Sequence, residues 1–226
     1  MAYNFIGKGL YSVPEARRLT KIPAPTLNRW VQGYVRRRDG DTVSYDPLLQ
    51  PSLPEIEEKV ALSFRDLVEL RFINRLRTLK VSWAEIKGTI EDARDLLKTN
   101  YPFGTRRFAT DGRRLFSEIA DKPGLLLRVR TKQITADRIF SPDLYSEIEF
   151  EDDDAVRWRP ETGRSHVVID PERSFGKPIL DRYGIPTALL AKTARAEDSA
   201  AKTADWFEVP LDAVIAAVEF ELKLAA

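Results

Sequence analysis

The sequence predicts an α+β fold, mainly helical, with a winged helix-turn-helix in front, β-hairpins in the centre and a three-helix, helix-turn-helix-like unit at the end. Three observations predict it. In the stretch YSVPEARRLTKIPAPTLNRW, two short helical patterns meet at a tight break. Asp39-Gly40 and Asp111-Gly112 are hairpin-turn dipeptides with arginine-rich arms. From residue 161 onward, three helical patterns are punctuated by Gly, Ser and Pro.

Each element has a local reason. Ser12 is placed to cap a first helix, with Pro14 in its opening turn and Glu15 at the capping-box position, over about Val13 to Leu19. A second helix runs from Ala24 to Gln32 and stops at Gly33. GYVRRRDGDTVSY reads as a hairpin, and the proline-rich DPLLQPSLP as an extended connector. Ser63 starts a helix to Leu79 with Phe64, Leu67, Val68, Leu70, Phe72, Ile73 and Leu76 on its apolar side. Ser82 with Glu85 opens the next, to Lys98, lined by Ile86, Ile90, Ala93 and Leu97. RRFATDGRRLF reads as a second hairpin, LLLRVR as a strand, Asp137 to Ser146 as helix and EIEFEDDDAVRWR as a further hairpin. HVVID is a strand, and SFGKPILDRYGIP irregular with extended pieces. Thr187 is expected to cap a helix, EDSAAKTADWF to form another, and Pro210 to open a third that ends near Leu224. The expected units are 1–118, 119–160 and 161–226.

The totals bound the function. The 226 residues are 43% apolar and 31% charged, an ordinary soluble globular composition. The absence of cysteine excludes disulfides, thiolate metal sites and cysteine nucleophiles, and fits a reducing compartment. MAYNFIGKGL lacks the apolar run of a signal peptide, so a cytoplasmic chain with no membrane partner is expected. Met1–Arg114 holds 21 Lys+Arg against 14 Asp+Glu, a net of +7. Leu115–Ala226 holds 15 against 21, a net of −6. A basic front suits a polyanion; an acidic back repels phosphate and suits protein partners.

The helical pair defines the candidate site. Val13, Ala16, Leu19, Ile22, Leu27 and Trp30 are the positions that pack the two helices together. Pro25, Thr26, Asn28, Arg29 and Gln32 are left to face outward, and Asn, Arg and Gln carry paired groups that match base edges in the major groove. Arg17 and Lys21, then Arg36, Arg37 and Arg38 on the hairpin, and Arg106, Arg107, Arg113 and Arg114 on the second hairpin are candidates for phosphate contact. In the last helix Leu211, Val214, Ile215, Val218, Phe220 and Leu222 fit a buried side or an interface with a second copy or a partner, while Asp212, Glu219 and Glu221 argue against DNA there.

The opening stretch resembles the MerR-like winged helix-turn-helix family, matching at Ser12, Glu15, Ala16, Thr26, Leu27 and Trp30; Asn28 stands where that family usually has Arg. The Ser82–Lys98 helix is too short for the long dimerisation helix usual there, and a thiolate-based metal sensor is excluded. VVIDPERSFGKPILDRYGIPT with PLDAVIAAVEFE is similar to a small bacterial domain common in antitoxins, matching at Asp170, Pro171, Gly176, Pro178, Ile185, Pro186, Thr187 and Phe220. The combination resembles a family of VapB-type antitoxins. The resemblance implies a homodimeric autorepressor that binds its own double-stranded DNA operator and silences a PIN-like ribonuclease toxin, without a cofactor. The alternative is a protein-binding or architectural, excisionase-like module without a toxin.

Other features read as structural. His166 begins a strand, with no nucleophile or carboxylate assigned to it by spacing. Glu151 to Asp154 lack calcium-loop spacing and form an exposed turn. GKG at Gly7 is not a phosphate loop, and Trp83, Trp158 and Trp206 are expected in or beside the core. Nothing here assembles an enzyme's acid–base or nucleophilic machinery.

Overall fold

The computed structural model describes residues 3–38, 41–79, 81, 83–109, 145–160 and 166–225. Strand β1 (Tyr11–Ser12) leads into α1 (Val13–Thr20), where the capping box forms as the sequence predicts: the Ser12 side chain accepts from Glu15 N–H, and Glu15 accepts from Ser12 N–H at 2.8 Å. Lys21 ends α1 in the left-handed region at φ 58°. Pro23 then sits at the N-cap of α2 (Ala24–Gln32). Gly33 ends α2 at φ +73°, and the position requires glycine because a Cβ there would lie 2.4 Å from the Tyr45 carbonyl oxygen.

Strands β2 (Tyr34–Arg38) and β3 (Asp41–Tyr45) form the expected hairpin; Arg38 pairs with Asp41, so two residues connect the arms. Strand β4 (Ala61–Leu62) returns antiparallel to β1 and feeds α3 (Phe64–Thr78) through a second capping box, Ser63 with Asp66. Helix α4 (Trp83–Leu97) follows. The apolar residues predicted for α3 are buried, and so are Asp66 and Glu69, because this helix is enclosed on nearly every side. Phe72 meets Phe103 in a tilted contact with ring centres 4.1 Å apart and Phe108 edge-on at 5.2 Å.

Strands β5 (Ile148–Glu151), β6 (Asp154–Trp158), β7 (Val167–Ile169) and β8 (Pro178–Leu180) make one antiparallel sheet. It runs across residue 160: Trp158 pairs with Ile169, and both join the core that holds α1 to α4. Helices α5 (Thr187–Ala196), α6 (Ala200–Phe207) and α7 (Leu211–Ala225) close the chain around a second core of Val167, Leu180, Leu190, Val214, Ala217 and Phe220.

Four expectations are corrected. Residues 106–109 are helical, so the first arm of the second hairpin is not a strand. The amides that open this turn are satisfied from a distance: Arg106 N–H reaches the Asp153 carbonyl and Arg107 N–H the Asp153 carboxylate. Its second arm, with Arg113 and Arg114, the LLLRVR strand and 137–144 lie outside the described residues, while Tyr145 and Ser146 form a turn. Thr187 is not a cap. Pro186 occupies that position, and the Thr187 hydroxyl, fully buried, contacts the Pro178 carbonyl and the Glu221 carboxylate. Trp206 is 70% exposed, whereas Trp158 is buried and Trp83 stacks on Trp30.

Candidate nucleic-acid interface

Helices α1 and α2 cross with their apolar positions inward: Ala16, Ile22, Leu27 and Trp30 are buried, and Val13 and Leu19 partly so. Pro25, Asn28, Arg29 and Gln32 are exposed. Their spacing of three and four residues puts them on one helical face. Arg29 Nε donates to the Pro25 carbonyl at 3.1 Å, holding that side chain along the helix. Thr26 is half-buried in a notch of about 420 Å³ that Arg29, Trp30, Tyr34, Arg77 and Trp83 line.

The β2–β3 hairpin stands clear of the core. The rings of Tyr34 and Tyr45 stack at 4.6 Å and 9° across its base, and every residue of β3 is exposed. Arg36 and Arg37 are exposed on β2, and the Arg38 side chain lies outside the described residues. Arg36 and Arg37 therefore follow α2 on a solvated ladder, an arrangement that suits long flexible side chains reaching for phosphate.

The remaining candidates divide. Arg17 is exposed on α1. Lys21 Nζ donates to the Lys223 carbonyl at 2.5 Å, beside a cation absent from the sequence-derived set: Arg18, whose guanidinium lies 2.9 Å from the Glu221 carboxylate. Thr187 donates to the other Glu221 oxygen at 2.6 Å. The end of α7 is thus tied to the end of α1, leaving the α2 face open. Arg106 and Arg107 are brought to the β5–β6 turn, where the Arg106 guanidinium donates to the Phe150 carbonyl. That acidic turn has structural work: Asp154 pairs with Arg65 as Asp153 holds the 106–109 helix.

Arg77 was also missed. Its guanidinium lies 5.9 Å from the ring centres of both Trp30 and Trp83, at the edge of the Thr26–Arg29 notch. Its position in the last turn of α3 is an ordinary place for a helix-ending cation, so the sequence gives no reason to single it out.

The residues predicted for an interface on α7 also separate. Val214 and Phe220 are in the second core, while Leu211, Ile215 and Leu222 are 45%, 42% and 58% exposed and Val218 is half-buried. His166 Nε2 lies 3.8 Å from Asp212, both side chains exposed. Among the described residues no group of three or more His, Cys, Asp or Glu could hold a metal ion, and no helix is long and apolar enough to cross a membrane.

Residues 9–90 match the family described as "Putative DNA-binding HTH domain". Over 218 residues the chain is 27% identical to the "Putative antitoxin VapB45" of Mycobacterium tuberculosis, with 90% of each chain covered. The crystal structure of Rv2018 from the same organism shares the fold, with a TM-score of 0.70 over 95% of this chain and 100% of that one, at 21% identity. The matched segment holds α1, α2, the β2–β3 hairpin and α3, the elements that build the exposed polar face.

Proposed function

We propose that the chain is a sequence-specific DNA-binding autorepressor and the antitoxin of a type II toxin–antitoxin pair. The observation that carries this reading is the exposed polar face of α2, followed directly in the chain by a hairpin with exposed Arg36 and Arg37. Asn28, Arg29 and Gln32, with Pro25 and Thr26 at the start of the helix, read base edges in the major groove. The MerR-like hairpin is the wing and grips the backbone with Arg36, Arg37 and Arg38; Arg17 adds a phosphate contact from α1, and Lys21 adds one only on leaving the Lys223 carbonyl. Arg106, Arg107, Arg113 and Arg114 are further backbone candidates. The DNA-binding description of the matching family and the antitoxin name of the relative support this reading.

In the proposed organisation, 1–118 binds the operator, 119–160 connects, and 161–226 is an antitoxin-type three-helix domain for dimerisation and partner binding. The partner is a PIN-like ribonuclease, silenced by direct binding in the cytoplasm, with no cofactor. The acidic surface of α7 keeps that unit off phosphate. The test is a fluorescence-anisotropy titration of the DNA upstream of the coding region against a scrambled duplex, at two salt concentrations. Specific binding with a steep salt dependence is expected. Equal affinity for both duplexes would overturn sequence-specific repression. Copurification with the neighbouring gene product, and loss of its ribonuclease activity in the complex, tests the antitoxin role separately.

A further inference from the structure

Helices α5 and α7 leave a groove of about 700 Å³ between them. Small residues of α5, Ala188 and Ala191, floor one side. Ile215, Val218 and Leu222, spaced three and four apart on α7, wall the other. Helix α7 therefore has two apolar faces. One, with Val214 and Phe220, fills the core; on the other, Ile215 and Leu222 are left to solvent and Val218 is half-buried beside the core.

Three charges above this apolar floor are sorted by wall: Lys192 and Arg195 stand on α5 and Glu219 on α7, all exposed and none in an ion pair among the described residues. A fourth, the exposed Asp198, lies just beyond the end of α5. At the groove's end Arg18 and Glu221 already satisfy each other. A uniformly acidic or basic helix laid in the groove would gain at one wall and lose at the other. A second copy of this chain, related by a two-fold axis running along the groove, faces each basic wall with the other copy's Glu219 and covers both sets of Ile215, Val218 and Leu222. An axis across the groove would set like walls together. The charge pattern favours a second copy and, for that copy, selects the axis.

We propose that the α5–α7 groove is the homodimer interface, closed by a second copy about a two-fold axis parallel to it. The proposal rests on the homodimer in the function above and gives it a face and a symmetry. Its test uses the full chain without DNA, so it fails independently of the operator reading. Analytical ultracentrifugation should show a dimer for the wild type. Leu222→Glu, at a largely exposed position, should weaken association at least about tenfold while leaving the circular dichroism spectrum unchanged. The double substitution Lys192→Glu/Arg195→Glu should weaken self-association, and so should Glu219→Lys, because each sets like charges on facing walls. Mixing the two charge variants should produce a heterodimer in native mass spectrometry, since each then meets its complement twice. A monomeric wild type overturns the proposal and returns the groove to a different partner. So do charge variants that dimerise like the wild type, and weakened variants that form no heterodimer on mixing.

Discussion

Arg18 and Glu221 stand 203 positions apart in the chain and meet at 2.9 Å, joining the last turn of α1 to the end of α7. The carboxylate is 13% exposed and the guanidinium 44%, so the pair itself adds little stability, on the order of 1 kcal/mol or less. Its consequence is electrostatic: it withholds a cation from a helix that lies beside the proposed DNA surface.

Glu221→Gln removes the charge and keeps an acceptor for the Thr187 hydroxyl. Arg18 is then available to phosphate. The expected outcome is stronger non-specific DNA binding, with the slope of log affinity against log salt steeper by about one unit. An unchanged slope in anisotropy titrations would show that Arg18 does not reach DNA even when released.

Arg29→Ala removes the exposed guanidinium that lies along the outer face of α2. If it makes a bidentate base contact, affinity for the specific site falls by about 1–3 kcal/mol, and affinity for a scrambled duplex changes little. Equal losses on both duplexes would reassign Arg29 to the backbone.

Arg37→Ala acts on the hairpin instead, where no base edge is expected within reach. Binding to every sequence should weaken alike, and the salt slope should drop by about one unit. A loss confined to the specific site would contradict the wing role. The same titration series read at several salt concentrations decides it.

Tyr11→Phe tests the junction between the front of the chain and the segment before β8. The buried Tyr11 hydroxyl donates to the Gly176 carbonyl at 2.7 Å, so its loss should cost about 1–3 kcal/mol in urea unfolding. Gly176→Ala should cost more: φ is +79°, and the added Cβ would lie 2.1 Å from that hydroxyl oxygen and 2.8 Å from the ring carbon bearing it. Combining the two substitutions should not restore stability, because the backbone strain and the ring contact remain.

Burial pushes the Glu69 carboxyl well above the ordinary value near 4.5, against the opposing pull of Arg94 and the amides of Phe103 and Gly104. The folded chain therefore holds this proton more tightly than the unfolded chain does. The group's contribution is complete below about 4.5 and is lost as pH rises toward the folded-state value. Relative to Glu69→Gln, the wild type should lose stability as pH rises above about 4.5 in urea titrations. A difference between the two proteins that stays constant with pH would show that Glu69 is not the group responsible.

Much of the front of the molecule was legible because its signals are local. Ser12 and Glu15 lie within one helical turn, and Gly33 follows α2 directly. The outward set from Pro25 to Gln32 follows from helical periodicity once the apolar positions are assigned to the core. Residues 106–109 misled because Asp111-Gly112 is a strong local turn signal, whereas the helix at 106–109 takes its first amide partners from Asp153, on another hairpin.

The sequence by itself determined the paired helices at the front, the arginine hairpin after them, the direction each polar residue of α2 takes, and the split of charge between the two halves. Caps, turns and periodicity act over a few residues, and the chain carries them wherever it goes. Tertiary structure alone decided that Arg18 and Lys21 meet the end of α7, that Arg77 lies beside two stacked indoles, and that Val214 and Phe220 go inward while Ile215 and Leu222 remain outside. Helical periodicity marks which residues of α7 are apolar but cannot say which apolar face is covered. That depends on where α5 and α1 lie, and their placement is fixed by packing between residues far apart in the chain.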